Sequence, residues 1–200
     1  ILYRLVGSEM CIRDSSTAKY AEFFTAVYTD LNIDLRFGTL PAERQFLSLE
    51  KGDFDGIFVA GSHQAQRKGV LKIDWPIAHV KLFLYCNISP CNHDVLLDPS
   101  NMMHTTRGYV GLLENEFGII PSAQIKPNEL YKTLEKLMKI GELDYLLLGE
   151  IESLPLQGYD KVEIGYYALY HLINEKHEAL IPAIKASMKK HMGGSRDFPL

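Results

Sequence analysis

The residues best suited to binding chemistry stand at the end of a short apolar run. Ala60 closes that run, Ser62 and His63 follow in a polar stretch, and Arg67 ends the stretch. An arginine with a nearby hydroxyl can hold a carboxylate, because the guanidinium donates two parallel hydrogen bonds to its two oxygens. The spacing therefore indicates a carboxylate-binding turn, and a solvated surface arginine is the alternative interpretation.

Three more residues are candidates for contact with a ligand. Arg44 either contacts the ligand or pairs at the surface with Glu43 or Asp34. Trp75 either walls a binding cleft or packs in the core or a hinge. Glu150 follows an apolar run and can offer a carboxylate to a cationic group.

Two cysteines stand close together in the middle of the chain. Cys86 and Cys91 are followed by His93 and His104, and four such side chains can bind zinc. Their spacing matches no common zinc finger, so we expect no metal site. A local disulfide fits an oxidising compartment, and two unpaired thiols are the alternative.

The composition is that of an ordinary globular chain. Of 200 residues, 46% are hydrophobic and 23% are charged, and the formal net charge is −4. A nucleic-acid-binding protein would carry a basic surplus, so nucleic acid is not expected as a partner. No apolar run approaches the roughly 20 residues of a membrane span. The common catalytic motifs, including the P-loop and the dinucleotide fingerprint, are missing from the sequence, so we expect no cofactor.

The elements that must position these residues follow a repeating pattern. Hydrophobic periodicity first predicts a helix over 17–31, a strand over 33–37, a helix over 42–51 and strands over 54–60 and 80–86. Residues 87–107 are rich in turn formers and are predicted to be a connection. Strands over 109–113, 145–148 and 166–173 and helices over 128–140 and 178–192 follow. The alternation predicts an α/β fold of two lobes joined by a hinge.

The first fifteen residues, ILYRLVGSEMCIRDS, end in a stretch that resembles the translation of an adaptor used to prepare sequencing libraries. A signal peptide does not fit, because Arg4 interrupts a short apolar stretch and no small-residue cleavage site follows. We therefore expect residues 1–15 to be a non-native segment with few packed contacts. The native N-terminus, with its signal peptide, is expected to be missing from this fragment.

A series of short motifs runs through the rest of the chain. The first half has GDFDG at 52–56, Ser62 five residues before Arg67, and Pro76 in register with Ile77 where an aromatic is usual. The second half has GYVG at 108–111 and KIGELD at 139–144. In their order and spacing these motifs resemble the family 3 solute-binding proteins, the periplasmic receptors of ABC importers for polar amino acids.

The resemblance implies a two-lobed, type II periplasmic-binding-protein-like fold. Lobe 1 would comprise residues 16–86 and 166–200, and residues 87–165 would form the crossover and lobe 2, with a separate sheet in each lobe. The protein would be a periplasmic, non-enzymatic monomer that closes on a small polar ligand in the interlobe cleft. Ser62 and Arg67 would hold the ligand's carboxylate, and the partners would be the membrane subunits of an ABC transporter.

Two departures from the family pattern bear on the ligand. Leu112 and Leu113 stand where the family usually places Gly-Ser or Gly-Thr, and Gly149 stands where amino acid receptors place an Asp for the ammonium. We therefore expect a carboxylate ligand and poor recognition of an α-amino group, unless Glu150 replaces that Asp. The alternatives are a ligand-sensing domain of a signalling protein and a periplasmic dehydratase-like enzyme, for which only Glu150 and His63 are placed to move a proton.

Overall fold

The computed structural model describes residues 2–7, 15–106, 109–128, 131–150, 156 and 158–193. The chain divides into two units, one formed by Ile1–His79 with Ala168–Leu200 and the other by Val80–Tyr167. In chain order the elements are β1 Leu2–Gly7, α1 Ser15–Thr29, β2 Asp34–Thr39, α2 Ala42–Glu50, β3 Gly56–Gly61, β4 Val70–Cys86, β5 Met102–Thr106, α3 Leu112–Phe117, β6 Gln124–Asn128, α4 Tyr131–Lys139, β7 Tyr145–Gly149, β8 Asp160–Asn174 and α5 Ile181–His191.

The first unit is built around parallel strands. β1 pairs in parallel with both β2 and β3, and the C-terminal part of β8 pairs antiparallel to β3. The predicted apolar face of α1 is confirmed: Tyr20, Phe23, Phe24, Val27 and Tyr28 are all buried against this sheet and α5. Their spacing by three and four residues places them on one side of the helix, which is why the periodicity predicted this face.

β1 contradicts the expectation that residues 1–15 make few packed contacts. Tyr3 and Leu5 have no exposed surface and belong to the core of the first unit. They alternate with Arg4, whose side chain is half exposed, as in any strand with one buried face. The expectation is wrong for Leu2–Gly7, while residues 8–14 lie outside the described residues.

The second unit is built around β7. β5 pairs in parallel with β7 on one side and with β6 on the other, and the C-terminal part of β4 pairs antiparallel to β7. α4 covers this sheet through Leu134 and Met138, which pack with Leu146 and Leu148. The predicted strand and helix in this region are confirmed, with bounds shifted by a few residues.

The prediction of one strand in the second unit, over residues 109–113, is wrong. The strand lies at Met102–Thr106, inside the predicted connection, and Leu112 with Leu113 begins helix α3 instead of ending a strand. Because this strand contains polar residues, hydrophobic periodicity does not indicate it. Thr105 is nevertheless fully buried, because its hydroxyl donates a hydrogen bond to the carbonyl of Leu147 at 2.7 Å.

β4 and β8 are longer than predicted and run through the boundaries between the units. One hydrogen-bonded order, β2-β1-β3-β8-β4-β7-β5-β6, therefore covers eight strands. The expectation of a separate sheet in each lobe is wrong, because the strands that carry the chain from unit to unit keep their backbone pairing. The division into two units is unaffected.

Among the helices of the described ranges, none has the length and apolar character needed to span a bilayer.

Candidate ligand-binding site

The candidate turn lies at the carboxyl edge of the parallel strands of the first unit. β1, β2 and β3 run in the same direction, so their carboxyl ends meet at one edge. β3 ends at Gly61, a 3-10 turn covers Ser62–Gln66, and Arg67 follows with its amide donating to the carbonyl of Gln64 at 3.4 Å. α/β proteins commonly bind ligands at this edge.

Arg67 directs its guanidinium onto α2. Nε donates to Oε1 of Gln64 at 3.0 Å, and Nη1 donates to Oε1 of Glu50 at 3.1 Å. Nη2 donates to both carboxylate oxygens of Glu43, at 3.0 and 3.2 Å. The guanidinium carbon also lies 4.8 Å from the ring centre of Phe46. Arg67 is thus bound by two carboxylates of its own chain.

The residues around Arg67 come from one face of α2. Glu43, Phe46 and Glu50 are three and seven residues apart, so they follow each other along one side of the helix. The sequence did not reveal that Arg67 contacts Glu50, Gln64 and Phe46, and it indicated Glu43 only as a partner of Arg44. The spacing on α2 was the available signal, but the sequence does not show which loop faces that helix.

The other residues of the turn differ in burial. Ala60 is buried with Phe46 in the core below α2, whereas Ser62 and His63 are half buried. The side-chain amide of Gln64 donates to Nε2 of His63 at 2.8 Å, so Gln64 connects His63 to Arg67. An amide nitrogen can only donate, so Nε2 of His63 is the acceptor in this hydrogen bond.

Arg44 and Trp75 lie in different surroundings. Arg44 is exposed on α2. Trp75 packs against the core of the first unit, and its Nε1–H donates to the sulfur of Met192 at 3.2 Å. The ammonium of Lys189 lies 4.4 Å from the centre of its ring. The structure therefore places Trp75 in contact with the C-terminal helix.

Glu150 is an ion-pair partner in the second unit. Its Oε1 accepts from the ammonium of Lys161 at 2.7 Å, and the same ammonium lies 4.2 Å from the ring centre of Phe83. The pKa of Tyr85 is raised to about 12, mainly by burial and then by its electrostatic interactions with Glu150 and Tyr109. The carboxylate of Glu150 is thus engaged with a lysine of the same unit.

The neighbouring Gly149 fills a position that has no room for a side chain. A Cβ there would lie 2.5 Å from the hydroxyl of Tyr109, 2.7 Å from Cγ1 of Val80 and 3.2 Å from the hydroxyl of Tyr167. An aspartate at this position would require these side chains to move. The glycine is therefore a packing requirement of the second unit as well as a departure from the family pattern.

Leu112 and Leu113, which stand where the family pattern has Gly-Ser or Gly-Thr, lie at the start of a helix. Both leucines are buried in α3, and the strand that precedes this helix ends at Thr106. The residues directly after that strand, 107 and 108, lie outside the described residues. The two leucines therefore contribute to the packing of α3.

Asp55, in the GDFDG motif, anchors the opposite end of β3. Its carboxylate accepts from the amide of Arg4 at 2.7 Å, from Lys176 at 2.8 Å and from His177 at 2.8 Å. Burial would raise the pKa of Asp55, but the hydrogen bonds from Lys176, His177 and the Arg4 amide outweigh it and lower the pKa. This cluster stabilises the first unit and lies away from the candidate turn.

Cys86 and Cys91 form a disulfide, one of the two states that the sequence left open. Sulfurs joined in this way are not thiolates and cannot serve as zinc ligands, which removes the candidate group with His93 and His104. Over the described part of the chain, three or more His, Cys, Asp or Glu side chains are nowhere grouped to hold a metal ion.

Solved structures share the fold of this chain. Tv2483 bound to L-arginine matches with a TM-score of 0.76 at 13% identity, covering 96% of this chain and 85% of that one. An ABC uptake transporter substrate-binding protein from Streptococcus pneumoniae with bound histidine matches with a TM-score of 0.75 at 13% identity, covering 94% and 86%. The periplasmic VFT2 domain of BvgS from Bordetella pertussis matches with a TM-score of 0.69 at 9% identity, covering 96% and 92%.

These matches define the class of fold. The chain has the α/β fold of the two-lobed periplasmic binding proteins, and the resemblance to family 3 solute-binding proteins is confirmed at the level of the fold. Neither models of protein families nor curated protein sequences gave a match. The identities of 13% and below carry the fold alone, so the ligand must be argued from this chain's own residues.

Proposed function

We propose that this protein is a periplasmic, non-enzymatic solute-binding protein that captures a small polar ligand bearing a carboxylate. It passes the ligand to the membrane subunits of an ABC importer and works as a monomer. Two solved structures of the same fold hold amino acids, L-arginine and histidine. The observation that carries the proposal is the position of Arg67, which directly follows the turn that Ser62 begins at the carboxyl end of β3.

Arg67 can bind a ligand even though it already forms ion pairs with two glutamates of its own chain. The side chain of Glu43 is 52% exposed, so its pair with Arg67 is a surface salt bridge. Exposed pairs contribute only about 0–1 kcal/mol, because water and salt screen them. A ligand carboxylate that gains further hydrogen bonds, for example from the Ser62 hydroxyl, can therefore replace Glu43 on Nη2. Glu50 and Gln64 would keep the guanidinium in position.

The test is Arg67→Ala, measured by calorimetry against the amino acids L-arginine and L-histidine and a panel of small carboxylic acids. Hydrogen bonds to charged groups contribute about 1.5–3 kcal/mol, so affinity should fall roughly 10- to 150-fold. Lys68→Ala is the matched control, because it removes one positive charge from the adjacent, exposed position.

The urea midpoint of each variant separates binding from folding, since Arg67 also holds Glu43 and Glu50. A variant that unfolds at a similar midpoint but binds weakly supports the proposal. Equal affinity in Arg67→Ala and the unaltered protein would refute it.

A second candidate function is a ligand-sensing domain within a larger signalling protein. The likeness to the VFT2 domain of BvgS favours it, since that domain is part of a longer periplasmic region. Sequencing the uninterrupted gene separates the two, because a sensor would be followed by a membrane span and a signalling domain. A turnover assay on bound ligands addresses the remaining alternative, an enzyme using Glu150 or His63.

A further inference from the structure

The strand β2 lies at one end of the hydrogen-bonded order of the described strands. It pairs with β1 along one edge, and its other edge has no described strand beside it. An edge strand carries unpaired amide and carbonyl groups, which can bind a further strand in extended conformation. The free edge of β2 is therefore a candidate interaction surface.

The strand at the opposite end of the order, β6, has features that discourage such pairing. It contains Lys126 and Pro127, and proline has no amide proton to donate. Proteins commonly place lysine and proline on edge strands to prevent pairing between sheets of different molecules. β2 has the sequence DLRFGT and contains neither residue type. Of these two edges, β2 is thus the one that is open to pairing.

Apolar and charged side chains alternate along β2, so they lie on opposite faces of the sheet. Ile33, directly before the strand, is buried in the core of the first unit, and Leu35 packs partly buried against the same core. Phe37 follows on this face and is 45% exposed. Asp34 and Arg36 are exposed on the other face. β2 therefore offers two opposite charges one residue apart on each side of Leu35.

Neither charge of β2 has an ion-pair partner in the described part of the chain. Arg36 stands beside Arg4 of β1 in the register, and the two charges have the same sign. Arg4 itself lies 3.8 Å from the carboxylate of Asp55. A second molecule can supply the negative charge that Arg36 lacks.

The segment is complementary to itself when two copies run antiparallel. If Leu35 lies opposite Leu35 of the other copy, Asp34 lies opposite Arg36 twice, and Ile33 lies opposite Phe37 twice. Residues directly opposite each other in an antiparallel pair interact on the same face of the sheet. Apolar side chains therefore meet apolar ones, and each charge meets its opposite.

Other registers lose this complementarity. Pairing Arg36 with Arg36, or Asp34 with Asp34, brings like charges directly opposite each other, which destabilises a sheet. A register that sets Asp34 opposite Phe37 also sets Leu35 opposite Arg36, so the apolar face of one copy meets the charged face of the other. The pattern thus favours the register centred on Leu35.

We propose that the free edge of β2 is a dimerisation edge, at which two copies of this chain pair antiparallel about Leu35 and form two Asp34–Arg36 ion pairs. One surface serves both copies, as in any two-fold interface. Pairing over about five residues covers a small area, so the dimer is weak and forms only as the concentration rises. The inference goes beyond the proposed function, whose monomer is the form in dilute solution, and β1 separates the pairing strand from β3.

The experiment is sedimentation velocity on the full chain between about 10 μM and about 1 mM, where weak complexes of this size associate. Arg36→Asp places two negative charges at each pairing position, and Asp34→Arg places two positive ones. The double variant with both changes restores opposite charges. Lys126→Asp is the matched control, because it makes the same change in net charge at an exposed residue of the other edge strand.

We expect the mean mass of the unaltered chain to rise with concentration. Association of Arg36→Asp and of Asp34→Arg should be weaker by about tenfold or more, because attraction becomes repulsion at two positions. The double variant and Lys126→Asp should associate as the unaltered chain does. Added salt should weaken the dimer, because it screens exposed charges. Urea midpoints should stay close to that of the unaltered chain, since all three altered residues are exposed.

Four outcomes would overturn the inference: a monomer at every concentration, unchanged association in Arg36→Asp, an equal loss in Lys126→Asp, or no recovery in the double variant. None of them affects the proposed function, because calorimetry on Arg67→Ala tests ligand binding separately. Likewise, failure of ligand binding would leave the dimerisation edge unaffected.

Discussion

At the scale of single residues, each nitrogen of the Arg67 guanidinium group already has a hydrogen-bond partner within the chain. Its donors reach Gln64, Glu50 and Glu43, so the carboxylate ligand that we propose would have to replace an existing partner of Arg67. The gain in free energy is then the difference between two carboxylate contacts. Affinity depends on the neighbours of Arg67 as much as on the arginine itself.

His171 is a titratable group that lies fully buried in the core of the first unit. Its Nδ1 faces the carbonyl of Ile57 at 2.7 Å, and its Nε2 faces the hydroxyl of Tyr28 at 2.7 Å. A carbonyl can only accept, so Nδ1 carries the proton and Nε2 accepts from Tyr28. Complete burial lowers the pKa of His171 to about 4, because a charged ring would lose its hydration.

We expect this histidine to make stability fall with acid. The folded pKa lies below the unfolded value, so unfolded chains bind the proton first as pH drops below about 6.5. From pH 7 to pH 5 the free energy of unfolding should fall by about 2 kcal/mol on this account. Urea titrations of the unaltered protein and His171→Gln measure the effect, and the variant should lack this part of the loss.

His93→Gln is the control, because His93 is exposed in a 3-10 turn and should leave the pH dependence as it is. A chemical-shift titration of the His171 ring in the unaltered protein gives its pKa without any substitution. A midpoint near 6.5 would contradict the prediction.

At the scale of elements, β1 determines how the first unit is built. It pairs with β2 on one side and β3 on the other, so it joins the two strands whose carboxyl ends flank the candidate site. Tyr3 and Leu5 pack beneath α1 with Phe24 and Tyr28. Loss of this strand would separate β2 and α2 from the turn that carries Arg67.

Leu5→Ala should therefore destabilise the protein strongly. Leu5 has no exposed surface, and Leu→Ala changes at buried sites cost about 2.7–5 kcal/mol through lost burial and the cavity left behind. Ile120→Ala is the matched control, because its side chain is 74% exposed and the cost should stay within about 0.5 kcal/mol. Comparable urea midpoints for the two variants would show that β1 is not part of the folded core.

At the scale of the whole molecule, binding adds to stability through mass action. A ligand that binds only the folded chain at 100 times its Kd adds about 2.7 kcal/mol to the free energy of unfolding. For a chain of this length, 1 kcal/mol corresponds to about 2–4 °C in Tm. A bound amino acid should therefore raise Tm by about 5–10 °C.

Thermal-shift measurements on the full chain with each L-amino acid check this expectation. The same compounds should shift the Tm of Lys68→Ala equally and that of Arg67→Ala far less. A similar rise in all three proteins would place the binding somewhere other than the candidate turn.

The amino-acid sequence by itself determined the α/β class and most helices. The face of α1 was readable because its apolar residues repeat with the helical period, and the turn from β3 to Arg67 was readable because glycine, polar residues and a strand stand in series. These are local signals, which depend on residues within one or two turns of each other. The motif series also sufficed to indicate the fold, which the comparison structures confirm.

Only the tertiary structure determined which distant segments of the chain contact each other. β5 escaped the hydrophobic pattern because Thr105 is satisfied by the carbonyl of Leu147, a partner 42 residues away. Likewise β1 could be recognised as part of the core only from its pairing, and Arg67 as the partner of Glu43 only from the packing of the β3 turn on α2. Contacts between distant segments depend on how sheets and helices assemble, and no local periodicity records them.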